Sequence, residues 1–139
     1  MVAASGELTL EVVTPMGTVV KTITSSVQAP SASGEFGVLP GHRPLLAALR
    51  CGVLKYQDGN RLELAAIGPG FVEVEPEKVL VLTDRFTPRS GVDVTETQRK
   101  LAEAEQALLH HEEIHEGTTY LELQLEIDWY KAQLDSLAD

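Results

Sequence analysis

The stretch FVEVEPEKVLVLT, residues 71–83, decides the fold of the longer, N-terminal part of the chain. Val72 and Val74 alternate with glutamates, so the valines share one face of an extended segment while the glutamates and Phe71 share the other. A Pro-Glu dipeptide at 76–77 then interrupts the pattern before a second aliphatic run. The stretch therefore predicts two β-strands, the first with an apolar face and an acidic face that meets water.

Segments of the same kind continue from Leu8 to about Asp84, where runs rich in Val, Ile, Leu and Thr are punctuated by turn residues at intervals of roughly ten residues. The segments Gly52–Gln57 and Arg61–Ile67 flank Asp58-Gly59-Asn60, a connection of the kind that closes a β-hairpin. The first two strands are predicted to form a hairpin as well. Short strands at this spacing predict an all-β sandwich.

The hydrophobic period changes beyond the segment RFTPRSG at 85–91, whose Pro, Gly and small polar residues suit neither strand nor helix. Asp93 followed three residues later by Glu96 is typical of a helix capping box, and the chain then runs to His115 without Gly or Pro. A first helix is predicted there. Its apolar seam is thin and consists of Val94, Leu101, Ala104 and Leu108.

A second helix is predicted from Thr118, which follows the helix-ending Gly117, through Leu137. Its apolar residues recur at helical spacing along one seam: Tyr120, Leu123, Ile127, Tyr130, Leu134 and Leu137. The short gap between the helices predicts that they pack antiparallel. The predicted fold is mainly β plus α, with a β-sandwich domain at 1–86, a linker at 87–92 and an antiparallel two-helix hairpin at 93–139.

The acidic charge of the chain is concentrated in the predicted hairpin. The whole chain has 11 Lys and Arg against 21 Asp and Glu, a formal net charge of -10, so nucleic acid is not expected as a partner. Residues 1–91 hold 8 basic and 9 acidic side chains, whereas residues 92–139 hold 3 and 12. The predicted sandwich is therefore almost neutral and the hairpin strongly acidic.

Cysteine content and hydropathy predict a cytosol-facing protein. The single Cys51 cannot form an internal disulfide, and Met1–Gly6 lacks the features of a secretory signal. The longest aliphatic run, Leu45–Leu49, is far shorter than the roughly 20 residues that span a bilayer. Any membrane association is expected to be peripheral.

The segment His111-Glu112-Glu113-Ile114-His115 matches the H-E-x-x-H pattern, in which two histidines on one helical face bind zinc and the glutamate is the general base. A small zinc-binding hydrolase is therefore one candidate function. A catalytic zinc needs a third protein ligand, and the extended pattern with a further Gly and His is missing downstream. Histidines near a helix C-terminus also interact favourably with the helix dipole, and the sequence favours that interpretation.

The densest glycine cluster is GEFGVLPGH at 34–42. It lacks the residue order of a phosphate-binding P-loop and has no neighbouring Lys, so turns that need a positive φ at Gly are the favoured interpretation. Phe36, Val38 and Leu39 predict an apolar loop at one end of the sandwich, which is typical of a partner-binding surface. The residues by themselves indicate a binding module.

The segment GEFGVLPGHRPLL at 34–46 resembles the pattern G-x-[FL]-G-[IV]-x-P-G-H-x-P-L-L of the epsilon subunits of F-type ATP synthases. The resemblance continues at Gly52-Val53-Leu54 and at GPGFVEV, residues 68–74, and covers essentially the whole chain. That family has a β-sandwich followed by an antiparallel helix pair, the two parts that the hydrophobic periods predict.

The resemblance implies a non-catalytic subunit of the rotating central stalk, which binds the gamma subunit and the c ring and couples proton flow to ATP synthesis. The implied c-ring and gamma interface comprises Glu35, Phe36, Val38, Leu39 and His42. The hairpin would lie on the sandwich or extend into the catalytic alpha/beta head, where family members brake ATP hydrolysis. The expected location is the cytoplasmic face of a bacterial plasma membrane, or else a thylakoid or mitochondrial inner membrane.

Two functions of the hairpin are expected to be weak in this chain. The family brakes hydrolysis with basic side chains, of which residues 92–139 offer only Arg99, Lys100 and Lys131. Some members also bind ATP through a motif [IL]-D-x-x-R-A; TETQRK at 95–100 keeps Arg99, has Glu96 in place of Asp, and lacks the leading aliphatic residue and the closing Ala. Weak or absent ATP binding, and no cofactor, are therefore predicted.

Overall fold

The structure is a computed structural model in which residues 6–110 and 120–138 are described. The described elements are ten strands followed by a short 3-10 turn and two helices. The strands are β1 Leu8–Thr14, β2 Gly17–Thr24, β3 Val27–Ser31, β4 Gly34–Val38, β5 Leu45–Leu49, β6 Gly52–Asp58, β7 Arg61–Ile67, β8 Gly70–Glu75, β9 Lys78–Thr83 and β10 Phe86–Pro88. The turn is Arg89–Gly91, and the helices are α1 Val94–Leu109 and α2 Tyr120–Asp135. The predicted fold class is confirmed.

The strands form one hydrogen-bonded path that folds back on itself as a sandwich. Its order is β10-β7-β6-β3-β5-β8-β9-β1-β2, and β4 pairs with β3 off this path. The pair β1–β9 is parallel and the other strand pairs are antiparallel. The core between the two layers is aliphatic and takes residues from both: Leu8, Leu10, Val12, Val27, Ala29, Val38, Leu49, Leu54, Ile67, Val72, Val74, Val79 and Val81.

The hairpins that the turn residues predict are present. β6 and β7 pair from Gly52 opposite Ile67 to Asp58 opposite Arg61, and β1 pairs with β2. In β8, Val72 and Val74 are buried and the intervening side chains are exposed, as the alternation predicts. Period-2 patterning therefore identifies β8, because it has one face on the core and one in water.

β7 departs from this alternation because both of its faces are covered. Leu64, Ala65, Ala66 and Ile67 are all buried, although only Ile67 belongs to the sandwich core cluster. Leu64 and Ala66 point away from the core with Val53, their neighbour on β6. α2 contacts both β6 and β7, so the hairpin lies against this outer surface, which we call the docking face.

α1 begins as the capping pattern predicts and ends earlier than predicted. The Asp93 carboxylate accepts a hydrogen bond from the Glu96 backbone N–H at 3.1 Å. The helix ends at Leu109, with His110 as its C-terminal cap, and the rest of the predicted helix lies outside the described residues. The prediction that Val94 belongs to the buried seam was wrong. Val94 lies in the first turn of α1 and is 42% exposed. Thr97 and Ala104 are the buried residues of α1.

α2 follows its predicted seam at Leu123 and Ile127, but the predicted Tyr130, Leu134 and Leu137 are only half-buried. Leu123 and Ile127 are buried, with Ala132 and Ser136 farther along. Tyr120, the first described residue of α2, is 58% exposed, so its place in the predicted seam was wrong. The predicted start at Thr118 lies outside the described residues.

The segment between the two parts is attached to the sheet. β10 pairs with β7 through Pro88 opposite Ala65, so residues 87 and 88, which fall in the predicted linker, are strand residues. The 3-10 turn Arg89–Gly91 follows at once. The hairpin therefore departs from a fixed point on the sandwich.

Candidate partner-binding surfaces

An apolar patch covers the outer side of β5, β8 and β9. Phe71 lies directly opposite Ala48 on one side and Leu82 on the other. Leu46 is one pleat away on β5, and the exposed fractions of Leu46, Phe71 and Leu82 are 70%, 56% and 44%. Since cross-strand and diagonal neighbours lie within contact range, these side chains form one surface, which we call the β5–β8–β9 face.

Gly70 allows the strands that carry this face to approach closely. A Cβ added at Gly70 would lie 1.8 Å from the carbonyl oxygen of Leu82. Only Gly fits such an approach, and Phe71 is therefore placed beside Leu82 at the start of β8. Thr83, which is buried, donates its hydroxyl to the Gly68 carbonyl at 2.9 Å and ties the same corner together.

A second surface is the turn Leu39-Pro40-Gly41-His42. The His42 N–H donates to the Leu39 carbonyl at 3.1 Å, with Pro40 at the second position and Gly41 at φ 84°, the features of a type II β-turn. The Gly41 N–H donates to the Pro76 carbonyl at 2.7 Å, and this hydrogen bond ties the turn to the β8–β9 connection. Leu39 is 63% exposed, so a stiff turn presents an apolar side chain to the surface.

The five interface residues that the resemblance implies differ in accessibility. Glu35 is exposed and accepts a hydrogen bond from the Gln28 amide at 2.8 Å. Phe36 and His42 are half-buried, and Phe36 packs against the core. Val38 is only 1% exposed, so its place in an apolar loop was wrong. Gly34–Val38 is strand β4, whose pairing with β3 turns Val38 inward.

Sequence reasoning did not single out Leu62 or the grouping of Leu46, Phe71 and Leu82. Leu62 is half-exposed and lines a shallow surface pocket together with Leu39. The available signal was local: Phe71 shares the glutamate-bearing face of its strand, and an aromatic side chain on a polar face marks a contact surface. Which strands lie beside it was not readable from residues 71–75 alone.

The interface between α2 and the sandwich holds a pocket of about 220 Å³. Arg85 stacks over the Trp129 ring, with its guanidinium carbon 5.5 Å from the ring centroid. Cys51 lies at the same interface, where burial, helped by the nearby carboxylates of Asp128 and Asp84, raises the pKa of its thiol to about 12. The thiol is therefore protonated and unreactive at neutral pH.

The residues predicted for a possible ATP site, Glu96 and Arg99, are paired with each other. The Arg99 Nε donates to a Glu96 carboxylate oxygen at 3.1 Å, and the guanidinium also pairs with Glu103. The hydrogen bond from Arg99 holds the pKa of Glu96 below its usual range. A phosphate would have to displace carboxylates that already neutralise Arg99, and weak ATP binding stays a prediction.

The H-E-x-x-H segment at 111–115 lies outside the described residues. Within residues 6–110 and 120–138, no group of three or more His, Cys, Asp or Glu side chains is arranged to hold a metal ion. Neither described helix combines the length and hydropathy that crossing a bilayer requires.

Comparison with known proteins identifies the family. Residues 7–89 match the family model for the β-sandwich domain of the ATP synthase delta/epsilon chain. An ATP synthase epsilon chain of Synechococcus sp. (strain RCC307) is 45% identical over 100 residues, which cover 72% of this chain and 74% of that one.

Two solved mitochondrial assemblies share the fold. A chain of the Euglena gracilis ATP synthase matches with a TM-score of 0.79 at 18% identity, covering 94% of this chain and 81% of that one. A chain of the Tetrahymena thermophila ATP synthase central stalk and c-ring matches with a TM-score of 0.53 at 15% identity, covering 68% and 72%. The family is non-catalytic, which argues against the zinc hydrolase as the function of this chain. The match of residues 7–89 to the family model and the sequence identity with its relatives show that this chain belongs to the ATP synthase epsilon chain family.

Proposed function

We propose that the chain is a rotary central-stalk subunit that joins the gamma subunit to the c ring of a proton-translocating ATP synthase. The observation that carries the proposal is the β5–β8–β9 face, where Leu46, Phe71 and Leu82 leave contiguous apolar surface in water. A contiguous patch of this kind marks a protein interface, because covering it removes apolar area from water. We assign this face to the gamma subunit.

The c-ring contact is assigned to the turn Leu39-Pro40-Gly41-His42, a small and stiff surface rather than a broad apolar face. Leu39 is presented by a turn whose backbone is hydrogen-bonded to the β8–β9 connection, and Glu35 lies exposed on the adjoining strand. The two solved assemblies that share this fold are described as containing a c-ring, which supports the assignment. Torque transmission needs a body that deforms little, and a close-packed aliphatic core supplies it.

The proposed location follows from these contacts. A subunit that rests on the c ring is peripheral to the membrane, and since the relatives of this chain include bacterial proteins, we place it on the cytoplasmic face of a bacterial plasma membrane. A thylakoid or mitochondrial inner membrane is the alternative.

Binding to the gamma subunit is the direct test of the β5–β8–β9 face. Phe71→Asp places a charge at its centre without touching the core, and the dissociation constant for gamma is expected to rise at least about 30-fold, as for an interface hot spot. Leu62→Asp is the matched control, because Leu62 is a similarly exposed apolar residue on β7, in the other layer. Equal binding by Phe71→Asp and the wild type, with circular dichroism showing a folded sandwich, would refute the assignment.

Regulation of ATP hydrolysis is proposed to be weak. Residues 92–139 hold 3 basic and 12 acidic side chains, so they offer little of the basic surface with which the family is expected to brake hydrolysis. Deleting residues 92–139 should therefore raise ATP hydrolysis by the assembled complex only slightly. A large activation, measured against the complex with the full chain, would contradict this.

A further inference from the structure

The C-terminal end of α2 is held by a side chain from the other part of the molecule. Arg89 Nε donates to the Ser136 carbonyl at 2.6 Å, and Arg89 Nη2 donates to the Ala138 carbonyl at 3.1 Å. We infer that Arg89 is a clamp that fixes the end of α2 to the edge of the sandwich and keeps the hairpin on the docking face.

The clamp is anchored on the sandwich side by sheet pairing. Arg89 directly follows Pro88, the last residue of β10, which pairs with Ala65 of β7. The Arg89 backbone carbonyl also accepts the Val92 N–H at 3.3 Å and closes the 3-10 turn. The guanidinium is therefore extended from a backbone position that moves with the sheet.

On the helix side, the clamp supplies a charge that α2 lacks. The last turn of α2 contains no basic residue, and Asp135 places an acidic side chain at the negative end of the helix dipole. Ser136 directly follows the last residue of α2 and Ala138 lies two residues farther on, and the carbonyls of both accept from one guanidinium. Ser136 is fully buried, so the joint lies at the interface between the hairpin and the sandwich segment.

The rest of the interface between α2 and the docking face is small, so the loss of one clamp should change how firmly α2 is held there. The docking face offers Val53, Leu64 and Ala66, and the cation-π contact of Arg85 with Trp129 is a second polar tie. Cys51 lines the pockets between the sandwich and α2 and is the only cysteine of the chain. Its reactivity therefore reports whether α2 covers it.

The test uses the isolated full-length chain with Arg89→Ala, Arg89→Lys and the control Arg61→Ala. Arg61 is the first residue of β7 and has an 84% exposed side chain, 3.7 Å from Glu63, so its substitution removes one arginine charge and leaves both hydrogen bonds of Arg89 in place. Two quantities are measured: the rate at which a maleimide alkylates Cys51, and amide hydrogen exchange in residues 120–138 and in the strands.

For Arg89→Ala, Cys51 alkylation and α2 exchange should both rise at least about tenfold, because two charge-assisted hydrogen bonds are lost and one alone accounts for that ratio. The strands should keep their protection, which also shows that the variant is folded. Arg89→Lys, which keeps the charge but cannot bridge two carbonyls as a planar fork, should give intermediate rates. Rates for Arg89→Ala that match Arg61→Ala would overturn the inference.

Discussion

The sandwich and the hairpin of this chain are stabilised in different ways. The sandwich encloses a continuous aliphatic core, and its strands share one hydrogen-bonded path. In its described residues, 93–110 and 120–138, the hairpin buries few large side chains, chiefly Leu123 and Ile127, and is otherwise held by small residues and by contacts of Arg85 and Arg89. We therefore expect the core to unfold as one cooperative unit and α2 to leave the sandwich at a lower free energy.

The largest effect is expected where two strands of the sandwich approach most closely. Gly70→Ala would place a Cβ 1.8 Å from the Leu82 carbonyl oxygen, so β8 and β9 must separate. We expect the free energy of unfolding to fall by about 4 kcal/mol or more, as for strain in a rigid site. Urea unfolding followed by circular dichroism measures this. Gly37→Ala is the control, since its Cβ would meet nothing within 4 Å; equal losses for the two variants would contradict the close approach.

A pair of truncations compares the two parts directly. Leu54→Ala removes a fully buried side chain from the core and should cost about 2 to 5 kcal/mol of global stability. Ile127→Ala, at a position that is almost as buried, should instead speed hydrogen exchange in α2 and leave exchange in the strands unchanged. If Ile127→Ala lowers protection in the strands as well, the sandwich and the hairpin are one cooperative unit.

The Cys51 thiol gives the hairpin contact a pH dependence. Its pKa is raised from 9.0 to about 12 in the folded chain, chiefly by burial. The folded state therefore keeps a proton that the unfolded state loses, so the thiol's contribution is complete below about pH 9 and is lost as the pH rises towards 12.

Alkylation of Cys51 by iodoacetamide measures this shift. In the native chain the rate should still be rising about tenfold per pH unit at pH 10, because the thiolate fraction is small, whereas in urea it should level off near the ordinary pKa of the thiol. Cys51→Ala controls for reaction at other side chains. A native rate that levels off near pH 9 would show that the thiol is not covered.

The smallest effect is expected for the exposed ion pairs on α1. Arg99→Gln removes the pairs with Glu96 and Glu103, which lie in water on one helical face. Such pairs add little to stability, so the unfolding midpoint should not move measurably. Lys100→Gln is the control, because it removes the same charge from α1 and only one longer contact, the 3.9 Å pair with Glu96. If the unfolding midpoint falls clearly for Arg99→Gln and not for Lys100→Gln, the ion pairs of Arg99 contribute more to the stability of the hairpin than expected.

Local patterns predicted much of the fold because their physical causes are local. The alternation around Val72 and the cap at Asp93 each depend on a few neighbouring residues, and both appear as predicted. Val94 was misassigned, since helical spacing describes a face but not whether another element covers it. Leu64 to Ile67 has no alternation, because its burial on the second face depends on a helix far along the chain.

The candidate partner-binding surfaces also depend partly on local sequence and partly on contacts between distant segments. The Leu-Pro-Gly-His turn at 39–42 is determined by the sequence itself, since Pro fixes one φ angle and Gly accepts the positive φ that follows. Strand pairing, by contrast, turns Val38 inward and brings Phe71 beside Leu82 and Ala48. The reach of Arg89 to Ser136 likewise joins residues far apart in the chain. Sequence determined the strands, the turns and the helix start; only the tertiary structure decided which apolar side chains stay in water and what holds α2, because both depend on contacts between distant segments.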